Sequence, residues 1–209
     1  MLGQILTALE CNKLADNTLV VATSDNGAEH RPYEPLRESK RNIYEGGHRV
    51  PFVVRWPGKV QPASTNDHTI CLNDLMASAA EIVGAKLPGN CGEDSVSLIP
   101  EFLGTATNAV REATVHQSAG GDLAIRQGPW KLVFLKSGKR ELYNLDADLN
   151  ESKDVLPANG GVAAKLTALM ERYIDRGRST PGAAQMNDFG LSLTVGDAKG
   201  KRKHKGNAK

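Results

Sequence analysis

The stretch "TLVVATSDNGAEHRPYEPLRESKRNIYEGGHRVPFVVRWPGKV", residues 18–60, decides the fold class. It runs from an apolar segment through a polar, glycine-punctuated loop into a second apolar segment. Leu19 to Thr23 reads as a buried strand of the parallel type and Phe52 to Trp56 as another, closed by the turn "PGKV". A strand, a long loop and a second strand suit an α/β sheet. Asp25 and Asn26 follow directly on the first strand, where open α/β sheets place ligands, and Gly27 allows a sharp turn. A carboxylate beside an amide carbonyl is hard-oxygen chemistry, suited to Ca²⁺ or Mg²⁺. Two such ligands fall short of the roughly six to eight oxygens that calcium takes, and taken alone "SDNG" also reads as a plain turn.

On the amino-terminal side, "MLGQILTALECNKLADN" sets Leu2, Ile5, Leu6, Leu9 and Leu14 at helical spacing, with polar residues between them. It lacks the basic start and continuous apolar stretch of a signal peptide. On the carboxyl side, "LNDLMASAAEIV" (72–83) carries a stripe of Leu72, Leu75, Met76, Ala79, Ile82 and Val83, which predicts a core-facing helix ending at Gly84. The pattern then changes. "REATVHQS", "DLAIRQGPWKLVFL" and "KRELYNL" are short β-rich segments broken by glycines and predict an antiparallel meander. Trp130, Leu132 and Phe134 share one face by period two, and Val162, Leu166, Leu169, Met170 and Tyr173 predict the helix that covers them.

The expected organisation is therefore an α/β part over 1–105, a small antiparallel sheet with one helix over 106–178, and an irregular, basic extension over 179–209. At 209 residues, 40% apolar and 24% charged, the composition is that of a globular protein, with no apolar run approaching the roughly 20 residues of a membrane span. Cys11, Cys71 and Cys91 lie far apart and form no CxxC pair. The net charge of +2 is more than supplied by Lys199, Lys201, Arg202, Lys203, Lys205 and Lys209, so the rest of the chain is mildly acidic. That tail reads as a solvated terminus. It has no interleaved aromatics to stack on bases, and nucleic acid is not an expected partner.

The ordered set "TLVVATSDNG", "LRESKRNIYEGGHRVPFVVRWPGKV", "LNDLMASAAEIVGAKLPG", "AIRQGPWKLV", "ELYNLDADLNES" and "GRSTPG" resembles the sulfatase (arylsulfatase) family over nearly the whole chain. The resemblance implies an alkaline-phosphatase-like α/β fold and a calcium-dependent, in some members magnesium-dependent, hydrolase of sulfate esters. Periplasmic, secreted or lysosomal placement goes with it. It makes Asp25 and Asn26 metal ligands, and gives Lys40 the role of a catalytic residue that contacts the sulfate and bridging oxygen. Without the flanking motifs Lys40 is simply a loop lysine. Glu38 and Ser39 stand where the family has glycines. Glu45, Gly46 and Gly47 match its "EGG", with a structural role as buried acceptor and tight turn. His116 reads as a sheet histidine or as a substrate contact. His30 and His48 read as exposed loop residues. "DADLNESKDVLP" begins like an EF-hand loop but has Glu151 at position six and Pro157 at position twelve, and so reads as a surface turn.

Family members attack sulfur with a formylglycine made from a CxPxR or SxPxR motif, and neither motif occurs in these 209 residues. The resemblance thus implies the carboxy-terminal part of a sulfatase, inactive alone, whose partners would be the amino-terminal half and a sulfate-ester substrate. The sequence leaves open a non-catalytic module that binds sulfated polymer or a partner, and a related phosphoesterase or phosphonate hydrolase. An incomplete first sheet also predicts self-association through its exposed edge.

Overall fold

A computed structural model describes residues 1–30, 33–187 and 193. The basic tail at 199–209 lies outside the described residues. The order of elements is α1 (Leu2–Cys11), β1 (Val20–Thr23), α2 (Glu45–His48), β2 (Phe52–Arg55), α3 (Asp74–Ile82), α4 (Ile99–Phe102), β3 (Thr114–Gln117), β4 (Leu123–Gln127), β5 (Trp130–Phe134), β6 (Arg140–Asn144) and α5 (Gly160–Arg176). Short 3₁₀ turns precede β1 and α5.

The four later strands form an antiparallel meander in sequence order, as the glycine-separated segments predict. Ile125, Leu132, Phe134 and Leu142 point to one face, where Ala163, Leu166, Leu169, Met170 and Tyr173 of α5 cover them. Burying each such large apolar side chain contributes about 1.5–3 kcal/mol, so this face is the main core of the molecule. Helix α5 ends at Gly177, whose φ of 59° is left-handed and lets the backbone turn back; a Cβ there would also meet the Gln185 carbonyl oxygen.

The opposite face of the same sheet is covered too, which the period-two reading does not anticipate. Ala124, Val133 and Tyr143 alternate with the helix-facing residues, and Ile43, Tyr44 and Leu145 pack on them. Lys131, Arg126 and Glu141 make this face read as solvated. In the structure Lys131 is fully buried and Glu141 nearly so.

Two other expectations are corrected. Strands β1 and β2 pair with each other antiparallel, Val20 with Arg55 through Thr23 with Phe52, and β1 is half-buried instead of enclosed. Helix α3 forms where the stripe predicts it, but Met76, Ala79, Ile82 and Val83 are exposed. Its buried residues are the polar Asp74 and Ser78. The Asp74 carboxylate accepts hydrogen bonds from Arg111 Nε and Nη2, both at 2.9 Å, and from the amides of Cys71 and Val96. Ser78 Oγ accepts the Leu98 amide. Four donors satisfy the carboxylate, so polar bonding and not the apolar stripe sets the rotation of this helix.

Candidate functional site

The loop between β1 and β2 begins with Ser24, whose hydroxyl donates to the Asn26 carbonyl at 2.9 Å, and this folds the turn that carries Asp25 and Asn26. Asp25 is exposed and Asn26 half-buried. Gly27 does not occupy the left-handed region, so its role differs from the sharp turn expected of it. Its amide donates to the Gly47 carbonyl at 3.0 Å, and a Cβ on Gly27 would lie 1.8 Å from the Gly46 carbonyl oxygen. A Cβ on Gly46 would meet the Glu38 carbonyl oxygen at 2.2 Å, and one on Gly47 the Asn42 carbonyl oxygen at 2.1 Å. The glycines of "SDNG" and "EGG" are therefore needed for backbone-to-backbone approach.

The Lys40 amide donates to the Ala28 carbonyl at 2.9 Å, and the Gly46 amide to the Arg37 carbonyl at 2.8 Å. These bonds draw the "SDNG" turn, Lys40 and "EGG" into one folded unit. Among the described residues Asp25 and Lys40 form no ion pair; Lys40 Nζ lies 3.9 Å from Glu29, which also pairs with Arg41 at 2.9 Å. Glu38 holds φ at 62°, a backbone state that suits a glycine.

Beneath the loop, Glu45 is buried and accepts at Oε1 from Lys131 Nζ at 3.0 Å and from His48 Nε2 at 3.1 Å. Arg49 and Arg126 approach Oε2 at 3.4 and 3.5 Å. Burial pushes the Glu45 carboxyl up, but the His48 hydrogen bond and the charges of Lys131 and Arg126 outweigh it and hold the group well below the usual carboxylate range. Lys131 Nζ also lies 2.8 Å from Glu151 Oε1, off-axis for a hydrogen bond, while Glu151 Oε2 accepts the Glu45 amide at 2.6 Å. Burial raises the Glu151 carboxyl.

A second cluster holds the loop at Arg37. Its guanidinium lies 3.6 Å above the Tyr44 ring and donates from Nη1 to the Tyr143 hydroxyl and to the Glu151 carbonyl. The hydroxyls of Tyr44 and Tyr143 both donate to Glu141 Oε2 at 2.8 Å. Burial and this bond push the Tyr44 phenol up to about 12.

His116, on β3, stacks on His48 with ring centroids 3.9 Å apart, and its Nε2 lies 3.1 Å from the Thr114 hydroxyl. His48 is therefore a packed residue of the loop's far end and not the exposed one its sequence context suggests. His116 also lines a cavity of about 320 Å³ with Arg111, Tyr173 and Arg178, but the two arginines there are committed to Asp74 and to backbone carbonyls. The structure thus joins Asp25, Asn26 and Lys40 through backbone bonds and joins His116 to the same loop through His48. Sequence reasoning missed Lys131, Glu151, Arg37 and Glu141. An available signal was the unpaired charge at alternate positions of β4–β6 facing "YEGG", which carries a charge of its own.

Asp25 and Asn26 offer a carboxylate and an amide oxygen, the right donor kind for a hard divalent cation. Among the described residues no group of three or more His, Cys, Asp or Glu is arranged to hold a metal. The donors fit calcium or magnesium in kind and not in number.

The fold is the alkaline-phosphatase-like α/β fold, shared with solved structures to which the chain is similar. Residues 1–85 match the family model described as Sulfatase. The chain is 30% identical over 200 residues to the N-acetylgalactosamine-6-O-sulfatase of Bacteroides thetaiotaomicron, covering 81% of this chain and 39% of that protein. It is 29% identical over 201 residues to human arylsulfatase A, again 81% of this chain and 39% of the relative. A solved Bacteroides thetaiotaomicron structure concerned with metabolism of multiple glycosaminoglycans superposes with a TM-score of 0.73 at 30% identity, over 81% of this chain and 41% of that one. Ps i-CgsB in complex with k-i-k-neocarrahexaose gives 0.74 at 28% identity, over 88% and 42%. The chain belongs to the sulfatase family, and it spans about 39% of the length of these curated relatives.

Proposed function

We propose that this chain forms the carboxy-terminal part of an enzyme that hydrolyses sulfate esters. In this reading Asp25 and Asn26 supply two oxygens to a calcium or magnesium ion, Lys40 contacts the sulfate and bridging oxygen, and His116 touches the substrate from the side of β3. A bound divalent cation supplies Lewis-acid stabilisation of charge on the ester oxygens. Lys40 contributes a fixed ammonium to the same charge, an interaction commonly worth about 3–4 kcal/mol in the transition state. The observation that carries the reading is the pair of backbone bonds from Gly27 to Gly47 and from Lys40 to Ala28, which bring the two candidate ligands and the candidate cation into one loop unit.

The 209 residues hold no CxPxR or SxPxR motif, so the nucleophile must come from elsewhere in the enzyme. The chain alone is then expected to be inactive on nitrophenyl or nitrocatechol sulfate. Supplied with the segment bearing the nucleophile, it should gain activity that falls by roughly 10²-fold or more in Lys40→Ala. Calcium-dependent turnover by the pure chain, or an unchanged rate in Lys40→Ala, would overturn the proposal.

A further inference from the structure

Lys131 is a lysine with no access to solvent on β5, a central strand of the meander, on the face it shares with Ala124, Val133, Tyr143 and the buried Glu141. It contacts two carboxylates, one on each side of an interface: Glu45 belongs to the loop, Glu151 to the turn after β6. Removing water from three charged groups is costly, and such a cluster is often no more stabilising than apolar residues of the same size. What ion triads give more reliably is a unique geometry, because each charge has one set of partners in reach. Here that geometry ends at the loop. Glu45 starts α2 and its amide is held by Glu151; just after it the Gly46 amide donates to the Arg37 carbonyl and the Gly47 carbonyl accepts the Gly27 amide, with the Lys40 amide tied in beside them at the Ala28 carbonyl.

We infer that Lys131 and Glu151 are positioning residues for the loop that carries Asp25, Asn26 and Lys40, fixing it on the sheet through Glu45. The inference builds on the role proposed for those three residues but concerns the docking of their loop. The Arg37 cluster holds the loop at a second point eight residues earlier, so loss of the triad loosens the loop without releasing it from the sheet altogether.

The test is backbone amide hydrogen exchange on the 209-residue chain, read at Gly27, Lys40, Gly46 and Gly47 for the loop and across β4–β5 for the sheet. Two variants address the triad: Glu45→Gln, altered only on the loop side, and Lys131→Met with Glu151→Gln, altered only on the sheet side. Leu166→Ala, on the α5 face, weakens the sheet without touching the loop and sets the pattern of general destabilisation. The expected result is a rise of tenfold or more at the four loop amides in both triad variants, with the β4–β5 amides within about threefold of wild type. If the sheet-side double variant unfolds, Glu45→Gln decides alone. Unchanged loop exchange in Glu45→Gln would overturn the inference, and so would loop and sheet amides rising together as in Leu166→Ala. Turnover does not enter this readout, so a failure of the sulfate-ester proposal, seen as an indifferent Lys40→Ala, leaves a distinct signature.

Discussion

The imidazoles of His48 and His116 lie face to face, centroids 3.9 Å apart and planes inclined by 23°. Burial lowers both pKa values. His116 is held well below the usual histidine range by burial first and by the neighbouring His48 charge next, and His48 by burial against the opposing Glu45 hydrogen bond. Lys131 and Arg126 face the pair from the sheet and add to the effect. The folded protein therefore binds fewer protons here than the unfolded chain. Stability from this pair is complete above the unfolded pKa of about 6.5 and is lost as pH falls below it. Thermal unfolding should show a melting temperature that is level above pH 7 and declines from pH 6.5 to 5. His116→Gln should flatten that decline; an identical slope would remove the pair as its cause.

Gly27→Ala and Glu38→Gly should move stability in opposite directions. The added methyl would lie 1.8 Å from the Gly46 carbonyl oxygen, which forces the two halves of the loop apart, a loss of about 2 kcal/mol or more. At Glu38 the φ of 62° costs a non-glycine residue about 1 kcal/mol, and glycine removes that cost at some expense in unfolded-chain entropy. The net gain should be a few tenths to about 1 kcal/mol, measurable by urea titration. Equal destabilisation by both would contradict the geometry.

Arg111 and Asp74 make a buried, two-pronged ion pair that ties α3 to the start of β3. Arg111→Met leaves the carboxylate buried with its backbone donors only and should cost about 3–5 kcal/mol. The double variant with Asp74→Asn should recover part of that loss, because no bare charge remains. A double-mutant cycle with no coupling would show that the two side chains act independently.

Calcium should bind this chain at millimolar levels or not at all, because Asp25 and Asn26 supply two of the ligands such an ion takes. Calorimetry is the measurement. Micromolar affinity, abolished by Asp25→Ala, would mean that other groups of the chain complete the site.

Exposed apolar side chains on α1, β2 and α3, among them Leu2, Ile5, Val53, Met76 and Ile82, favour self-association of the isolated chain. Light scattering across the micromolar range should reveal concentration-dependent mass, and a strict monomer would count against it.

The meander and its covering helix were legible because Trp130, Leu132 and Phe134 alternate and Leu166, Leu169, Met170 and Tyr173 recur at helical spacing, each pattern matching one buried face. The rotation of α3 was not, since periodicity weighs apolar residues and is blind to a single carboxylate with four donors. The second face of the sheet escaped for a related reason: Lys131 and Glu141 carry the signature of a solvent face, and their loop partners Glu45 and Tyr44, 86 and 97 residues away, reverse it. Candidate site residues rested on motif order. Their supports, Arg37 and Glu45 against Tyr143 and Glu151, are pairings across more than a hundred residues that no local pattern encodes.

Those separations carry a consequence for biosynthesis. Glu45 finds Lys131 86 residues later and its amide finds Glu151 after 106. At a synthesis rate of about 5–20 residues per second, the loop leaves the ribosome several seconds before either partner exists. During that interval its carboxylate, Ile43 and Tyr44 remain hydrated and open to chaperones or proteases. The loop gains its contacts with Lys131 and Glu151 only when the meander is in place, so a nascent chain halted before Glu151 would present the candidate ligands on a segment without that support beneath it.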